Sequence, residues 1–257
     1  MKNKLNKELA VCGYAAVHTL GRIHEQAIRR LYFTPDRAPA FGDLCRRLAQ
    51  RKAVYNMVED PVELEKLCGS VHHQGVVAMI PQPEIQPLSK EIVTTWLHNR
   101  ENALILDRVG NANNLGAIVR SAAFFGMKNI VIPLDEAQSS VTTSSYRVAQ
   151  GGMEFVTIYS IISIPRLLRD AAGKMLRLGT AVDADIPVSM VGQLAGEKPL
   201  LVVLGNEEHG ISEEVKQNCD RLVVIPSAGF AAGGDAPVES LNVAQAAAVI
   251  LYECMKK

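Results

Sequence analysis

Residues 221–243 read RLVVIPSAGFAAGGDAPVESLNV, an apolar run followed by a Gly-rich loop and the start of a small-residue helix. Polar residues also follow the apolar runs at 103–106 and 200–204. Short β-rich runs that end in Gly, Asn or Ser are typical of α/β folds, which present their sites at the carboxyl edge of the sheet. The pattern predicts an α/β fold with polar groups from three segments gathered at one edge.

The remainder of the C-terminal region extends this pattern. Its periodicity predicts strands at 103–107, 129–132, 155–158, 177–182, 199–204 and 221–225, and helices at 114–126, 143–150, 165–176, 212–218 and 242–256. Apolar strands separated by helices indicate a parallel sheet that is covered on both faces.

A smaller α/β/α unit is predicted at residues 8–80. Apolar spacing favours a helix from Cys12 to Arg30, and further elements follow as strands at 31–34, 54–58 and 75–80 and helices beginning at Leu44 and Asp60. Three prolines within residues 81–87 stiffen the chain and disfavour regular structure. We therefore expect a linker at 81–88 between this unit and a second domain at 89–257.

The charge distribution is uneven although the net charge of the 257 residues is zero. Residues 1–58 contain 11 Lys and Arg against 4 Asp and Glu, a local excess of +7. Such a segment favours a polyanion-binding face, with an ordinary solvated surface as the alternative. No apolar run approaches the roughly 18 residues of a membrane span, and the polar N-terminus lacks a signal-peptide core. A cytoplasmic protein without membrane contact is expected.

Cysteine and histidine spacing gives no support for a metal site. The five cysteines are far apart and form no CxxC pair, which disfavours a disulfide framework or a cysteine-rich zinc site. Glu208 and His209 are adjacent, but no second His or Cys stands at ligand spacing. We expect no bound metal.

Three polar clusters are candidates for chemistry. Asn114 could cap a helix, Gly116 permits close backbone approach, and Arg120 offers a planar donor group suited to phosphate or a developing oxyanion. A cap with a surface salt bridge is the structural alternative. The Gly205–Gly210 loop offers backbone groups to a polar ligand, although a capped turn would also explain it. The third cluster pairs a Gly-rich loop with Ser240 and Asn242, and Ser240 alone would suffice as a cap.

In this order, the clusters resemble the three signature motifs of the SpoU (TrmH) family of RNA 2′-O-ribose methyltransferases, which belong to the SPOUT class. The matching residues are Asn114, Gly116 and Arg120, then Gly205, Glu207 and Gly210, then Ile225, Pro226, Ser240, Leu241, Asn242 and Val243. Residues 13–17 and 73–78 resemble the ribosomal-protein-like substrate-binding domain that often precedes the catalytic domain.

The resemblance implies a C-terminal domain with a deep trefoil knot, a homodimer formed through the knotted domain, and ribosomal or transfer RNA as substrate. It also implies S-adenosyl-L-methionine as methyl donor, bound largely by backbone groups. The positions that match its binding residues are Thr180, Ala181, Leu204, Gly205, Asn206, Gly210, Ile225, Pro226 and Leu241.

The catalytic positions implied by the family are Arg120, Asn114, Glu207, Ser240 and Asn242. Since a guanidinium group loses its proton only at great cost, we expect Arg120 to bind phosphate and the developing alkoxide while phosphate or water takes the proton. Asn114 and Glu207 would orient Arg120 or the ribose. Ser240 and Asn242 would position the cofactor and the target nucleotide.

One departure from the family leaves an alternative open. The segment Phe230–Glu239 is longer than usual before Ser240, so an RNA-binding member with weak or lost methyl transfer is the second hypothesis. A Rossmann oxidoreductase is disfavoured because residues 109–113 lack the Gly-rich turn that it needs after the first strand of the domain.

Overall fold

The computed structural model describes residues 7–135, 137–206, 208–228, 238 and 240–256. The chain divides into two compact units. The first comprises Met1–Glu84 and Val141–Phe155, and the second comprises Ile85–Ser140 and Val156–Lys257. The domain bounds expected from the sequence, 8–80 and 89–257 with a linker at 81–88, stay predictions.

The first unit contains a four-stranded sheet covered by short helices. Its elements are β1 (Glu8–Cys12), α1 (Tyr14–Ile23), β2 (Arg30–Phe33), α2 (Ala38–Gln50), β3 (Val54–Met57), α3 (Pro61–Cys68), β4 (Val76–Pro81) and, from the later segment, α6 (Thr143–Ala149). The strand order is β1-β4-β2-β3, with β2 and β3 parallel and the other pairs antiparallel.

The helix predicted from Cys12 to Arg30 was wrong at both ends. Cys12 is the last residue of β1 and pairs with Val77 of β4. Gly13 then adopts a φ of 97°, which only glycine tolerates readily and which separates the strand from α1. The helix ends at Ile23, and Ile28 is buried from an extended conformation instead. Apolar residues spaced three or four apart therefore came from three different local structures.

The segment Val141–Phe155 belongs to the first unit because it packs on that sheet and on α1. Helix α6 contacts β1, and His24 Nδ1 lies 2.6 Å from Glu154 Oε2. Burial raises the pKa of the Glu154 carboxyl, while the hydrogen bond to His24 acts in the opposite direction. Periodicity had predicted a helix at 143–150, but it gave no sign that this helix packs against a sheet formed earlier in the chain.

The second unit contains an eight-stranded sheet in the order β10-β12-β9-β11-β6-β7-β8-β5, and every pair of neighbours is parallel. Its strands are β5 (Gln86–Pro87), β6 (Ala103–Leu106), β7 (Asn129–Pro133), β8 (Thr157–Ile161), β9 (Leu176–Thr180), β10 (Ile186–Pro187), β11 (Leu200–Leu204) and β12 (Arg221–Val224). Its helices are α4 (Lys90–Asn99), α5 (Ala112–Phe124), α7 (Ile164–Asp170), α8 (Val191–Ala195), α9 (Glu213–Gln217) and α10 (Val243–Met255).

The predicted parallel sheet is confirmed. The burial of its central strands explains why the sequence pattern predicted it. All five residues of β11 are buried, as expected for a strand covered on both faces. Strands β5 and β10 were missed because each is only two residues long, too short to show an alternation of apolar and polar residues. The helix predicted at 165–176 is shorter in the structure, where α7 ends at Asp170. Strand β9 then begins at Leu176. The knot stays a prediction from the resemblance.

One core cluster of the second unit lies between the sheet and helices α4, α7 and α9. Trp96 of α4, Leu168 of α7 and Val215 of α9 pack there with Ile105 and Val203 from neighbouring strands. In the described part of the chain, no helix is both long and apolar enough to cross a bilayer.

Candidate functional site

Four adjacent strands, β12, β9, β11 and β6, bring their carboxyl ends to one edge of the second sheet. From β6 the chain continues to β7 on one side, whereas from β11 it continues to β12 on the other. The two strands are neighbours, so the direction of the chain reverses between them. A crevice at such a switch point is where open α/β sheets bind ligands.

A cavity of about 370 Å³ opens at this edge. Its volume lies within the range of roughly 300–1,000 Å³ that small-molecule sites occupy. Eight of the nine positions predicted to bind the cofactor line it, namely Thr180, Ala181, Leu204, Gly205, Asn206, Gly210, Ile225 and Leu241, and Ser240 lines it as well. Pro226, the ninth, is exposed and lies outside the lining.

The loop after β11 forms one wall of the cavity and is shaped by two glycines. Asn206 N donates to Gly210 O at 3.1 Å, and Gly210 N donates to Asn206 O at 2.9 Å. A Cβ added to Gly205 would overlap the backbone of Gly210 and Ile211. Gly210 itself has a φ of 63°. The tight closure of this loop leaves no room for a side chain at Gly205.

The side chain of Asn206 is engaged within the protein. Its Oδ1 accepts from Glu208 N at 2.7 Å and from His209 N at 3.3 Å, and its Nδ2 donates to Arg108 O at 3.0 Å. These bonds engage the side-chain amide, and the two bonds to Gly210 engage the backbone N–H and C=O, so Asn206 shapes the cavity wall from within the protein. Thr180 is similar, since its Oγ1 donates to Val203 O at 3.0 Å.

The cavity also has a charged wall that sequence reasoning missed. Asp183 and Lys216 line it, with Lys216 Nζ 3.7 Å from Asp183 Oδ2 and 3.0 Å from Glu213 Oε1. The hydrogen bond to Glu213, followed by the charge of Asp183, raises the pKa of Lys216. Neither Asp183 nor Lys216 lies in a recognisable motif, so only the fold could bring them to the site.

The first and third motifs meet beside the cavity. Asn242 Oδ1 accepts from Ala244 N at 2.9 Å and so caps α10, and its Nδ2 donates to Asn114 Oδ1 at 3.2 Å. The prediction that Asn114 caps α5 was wrong, because Asn111 is the N-cap and its Oδ1 accepts from Asn113 N. Asn114 lies inside the first turn of α5 instead, where its side chain meets the third motif.

Arg120 lies on α5, six residues after Asn114, with an exposed side chain. It does not line the cavity, and it forms no hydrogen bond or ion pair with any residue that the structure describes. Its guanidinium is therefore available to an anion from outside the chain. Glu207, the remaining predicted catalytic residue, and the lengthened segment Phe230–Glu239, apart from Val238, lie outside the described residues.

Metal ligands are not gathered here. Across the residues with described positions, no group of three or more His, Cys, Asp or Glu side chains is placed to hold a metal ion.

A parallel sheet with a cavity at the carboxyl ends of β9, β11 and β12, together with a small α/β unit, defines a two-unit α/β protein with a site for a small molecule. Residues 101–252 match the SpoU rRNA Methylase family, and residues 10–86 match the family described as RNA 2′-O ribose methyltransferase substrate binding. The chain belongs to the SpoU rRNA methylase family. The resemblance stated from the three motifs is confirmed.

Two curated relatives illustrate the similarity. An uncharacterized tRNA/rRNA methyltransferase of Mycolicibacterium paratuberculosis is 34% identical over 197 residues, covering 76% of this chain and 60% of the relative. The chain thus spans about 60% of the length of that relative. The 23S rRNA (guanosine-2′-O-)-methyltransferase RlmB of Nitrosomonas europaea is 28% identical over 248 residues, covering 96% of this chain and 91% of the relative.

Solved structures share the fold. The SpoU methyltransferase AviRb from Streptomyces viridochromogenes, in complex with AdoMet, superposes with a TM-score of 0.71 at 23% identity, covering 99% of this chain and 92% of that one. The AdoMet-bound rRNA methyltransferase from Sinorhizobium meliloti gives a TM-score of 0.73 at 19% identity, covering 99% and 89%. The likeness extends over both units of the chain.

Proposed function

We propose that this protein transfers a methyl group from S-adenosyl-L-methionine to a ribose 2′-hydroxyl of ribosomal or transfer RNA. The observation that carries the proposal is the cavity at the carboxyl edge of the second sheet, where the loop after β11 and Ser240–Leu241 before α10 meet. The Asn114–Asn242 hydrogen bond joins the remaining motif to the same edge. Family membership and the AdoMet-bound relatives support the choice of methyl donor.

The residues of the cavity fit such a donor. Leu204, Ile225 and Leu241 give apolar surface for a purine ring, and two glycines of the loop after β11, Gly205 and Gly210, lie along the same lining. When bound, S-adenosyl-L-methionine supplies an electrophilic sulfonium methyl group. The new bond joins that carbon to the ribose oxygen, the carbon–sulfur bond breaks, and the proton of the hydroxyl leaves for phosphate or water.

The residues of the chain then position the RNA and stabilise charge. Arg120 binds the neighbouring phosphate and the oxygen that loses its proton, because a guanidinium donates hydrogen bonds but does not act as a base. Asn114 and Asn242, held together by their hydrogen bond, orient the ribose and the cavity entrance. Ser240 positions the reacting groups at the cavity lining. Glu207 orients Arg120 or the ribose.

The first unit docks the RNA. Residues 10–86 match the substrate-binding family, and the unit contains exposed cations, among them Arg22, Arg29, Arg51 and Lys52. Cations on one unit favour a phosphate backbone over a neutral ligand. Ribosomal or transfer RNA as substrate also places the protein in the cytoplasm.

A second copy of the chain covers the outer surface of α5 and α10. Phe124 is 82% exposed, and Val249, Tyr252 and Met255 are exposed beside it on the two packed helices. Phe125 links the aromatic rings, at 5.1 Å from Phe124 and 6.1 Å from Tyr252 between centroids. An exposed apolar patch of this kind marks an association surface. The proposed homodimer buries it beside the site.

Two measurements test the function. Isothermal titration should give binding of S-adenosyl-L-methionine to the protein, and ribose methylation mapped in total RNA with and without the gene should differ at specific nucleotides. Binding of RNA without binding of the methyl donor would contradict the proposal and leave the RNA-binding alternative. Identical methylation maps together with absent transfer to RNA from the deletion strain would refute methyl transfer.

A further inference from the structure

Asp107, which follows β6, is an acidic residue buried in the second unit. It is 4% exposed, and it does not line the cavity. A buried carboxylate is costly unless its oxygens accept hydrogen bonds from well-placed donors. The donors that Asp107 uses therefore indicate why it is there.

Those contacts lie at the boundaries of the loop that forms the cavity wall. Asp107 N donates to Leu204 O at 2.8 Å, immediately before the loop begins. Asp107 Oδ2 accepts from Ser212 N at 3.2 Å, where the loop ends and Ser212 caps α9. One residue thus attaches both ends of the segment 205–211 to the neighbouring strand.

Arg108 completes the arrangement. Its Nε donates to Asp107 Oδ1 at 2.9 Å, which supplies the opposite charge that a buried carboxylate needs. Its carbonyl oxygen accepts from Asn206 Nδ2 at 3.0 Å, so the second residue of the loop is also attached. Arg108 adopts a φ of 60°, a left-handed conformation uncommon for a residue with a side chain. The turn after β6 is therefore held in an unfavourable backbone conformation by contacts to this loop.

We propose that Asp107 is a positioning residue that holds the described residues of this loop, 205–206 and 208–211, in the shape that binds the methyl donor. It acts through Ser212 and through Arg108 and Asn206, without touching the ligand. The proposal rests on the proposed function for its ligand, but not for its structural content. Because Asp107 also begins the connection to α5, the same contacts connect the cavity wall to the helix that carries Arg120.

The first experiment needs no ligand. Amide hydrogen exchange is measured for the wild type, Asp107→Ala, Asp107→Asn and the control Asp220→Ala. Asp220 is also paired with an arginine, Arg177, but near the starts of β9 and β12, at the other edge of the same sheet. We expect Asp107→Ala to speed exchange within 205–212 while β7 and β8 keep their protection, and Asp220→Ala to leave 205–212 unchanged. Equal acceleration throughout the second unit, or none in the loop, would overturn the proposal.

The second experiment measures the consequence for binding and turnover. Loss of hydrogen bonds to a charged acceptor should raise the Kd for S-adenosyl-L-methionine by about 10- to 100-fold in Asp107→Ala. Asp107→Asn retains an oxygen for Ser212 N–H, so its Kd should lie between that of the wild type and that of Asp107→Ala. The KM for the donor should rise with the Kd, whereas kcat at saturating donor should fall by less than about threefold. An unchanged Kd, or a loss confined to kcat, would overturn the proposal. A wild type that binds no donor would instead refute the proposed function. In that case the hydrogen-exchange result alone decides whether Asp107 positions the loop.

Discussion

Asn242 Nδ2 donates a hydrogen bond to Asn114 Oδ1 across 3.2 Å, which joins the residue that caps α10 to the first turn of α5. The two residues lie 128 positions apart. The same Asn242 side chain uses its oxygen for the cap of α10. The amide oxygen of Asn242 therefore stabilises the helix, whereas its amide nitrogen contacts the first motif. A substitution that keeps only the oxygen separates these two roles.

Asn242→Ala should lower the free energy of unfolding by about 1 kcal/mol, because the cap of α10 is lost. Asn242→Asp keeps an oxygen that accepts from Ala244 N, and a negative charge at a helix N-terminus is favourable. Its stability should therefore match the wild type, yet it cannot donate to Asn114. Methyl transfer should fall about tenfold in both variants, by loss of one hydrogen bond in the site. Urea titration and transfer of labelled methyl to RNA measure the two effects, and full activity in Asn242→Asp would contradict a role for the Asn114 contact.

Arg120→Ala should reduce methyl transfer by at least about 100-fold, the cost of removing a donor aimed at developing charge. Because Arg120 does not line the cavity, the Kd for S-adenosyl-L-methionine should stay within about twofold of the wild type. The change should also leave stability unaltered, since the side chain is exposed and without a partner among described residues. Arg120→Lys keeps the charge without the planar fork and should recover part of the activity. Normal turnover in Arg120→Ala would exclude the assigned role.

Gly205→Ala should abolish binding of the methyl donor, because the added Cβ meets the backbone of Gly210 and Ile211 and neither can move without opening the loop. Gly42→Ala is the matched control. Gly42 lies within α2, where an added Cβ would meet no neighbouring atom within 4 Å, so the same substitution there should raise stability by about 0.5–1 kcal/mol. Titration calorimetry and urea denaturation of both variants check the contrast. Retained binding in Gly205→Ala would show that the wall of the cavity adapts.

Much of the second unit was predictable because its strands are buried on both faces and its motifs follow them directly. Runs such as 200–204 identify a central parallel strand, and parallel strands bring their carboxyl ends to one edge. The residues that follow those strands, Gly205 and Ile225 among them, could therefore be assigned to one site from the sequence alone. The positions of Asp183 and Lys216 in the cavity lining could not be predicted from the sequence, because they depend on the order of the strands and not on a local pattern.

The first unit was less predictable because its strands are short and lie near helices of similar composition. The predicted helix began at Cys12, the last residue of β1, and only pairing with β4 identifies Glu8–Cys12 as a strand. Asp107 was missed for another reason. A single carboxylate at the end of the predicted strand 103–107 carries no local signal, and its partners Leu204 and Ser212 lie about a hundred residues away.

Asp220 should make the stability of the second unit depend on pH. Hydrogen bonds and charge from Arg177 hold the pKa of the Asp220 carboxyl below its ordinary value of about 3.9. A carboxyl with a depressed folded-state pKa stabilises the protein above the unfolded pKa, and that contribution is lost as the pH falls through the folded pKa. Asp220→Asn should therefore be less stable at neutral pH and lose less stability below about pH 4. Urea midpoints from pH 6 to pH 2.5 measure this, and Glu197→Gln, which removes only a surface ion pair with Arg100, should keep the slope of the wild type.

Phe124→Glu should convert a dimer into a monomer, since a charge at the centre of an apolar interface must be desolvated without a partner. The substitution faces solvent in the isolated chain, where Phe124 is 82% exposed, so the monomer should fold with unchanged stability. Sedimentation equilibrium of the wild type should give twice the chain mass, and that of the variant the chain mass. The control is Ile162→Glu, because Ile162 is 90% exposed but follows β8 and lies on neither α5 nor α10. A wild type that sediments as a monomer would refute the dimer. If Ile162→Glu also dissociated the dimer, the interface would lie elsewhere on the second unit, and the exposure of Phe124, Val249 and Tyr252 would need another partner.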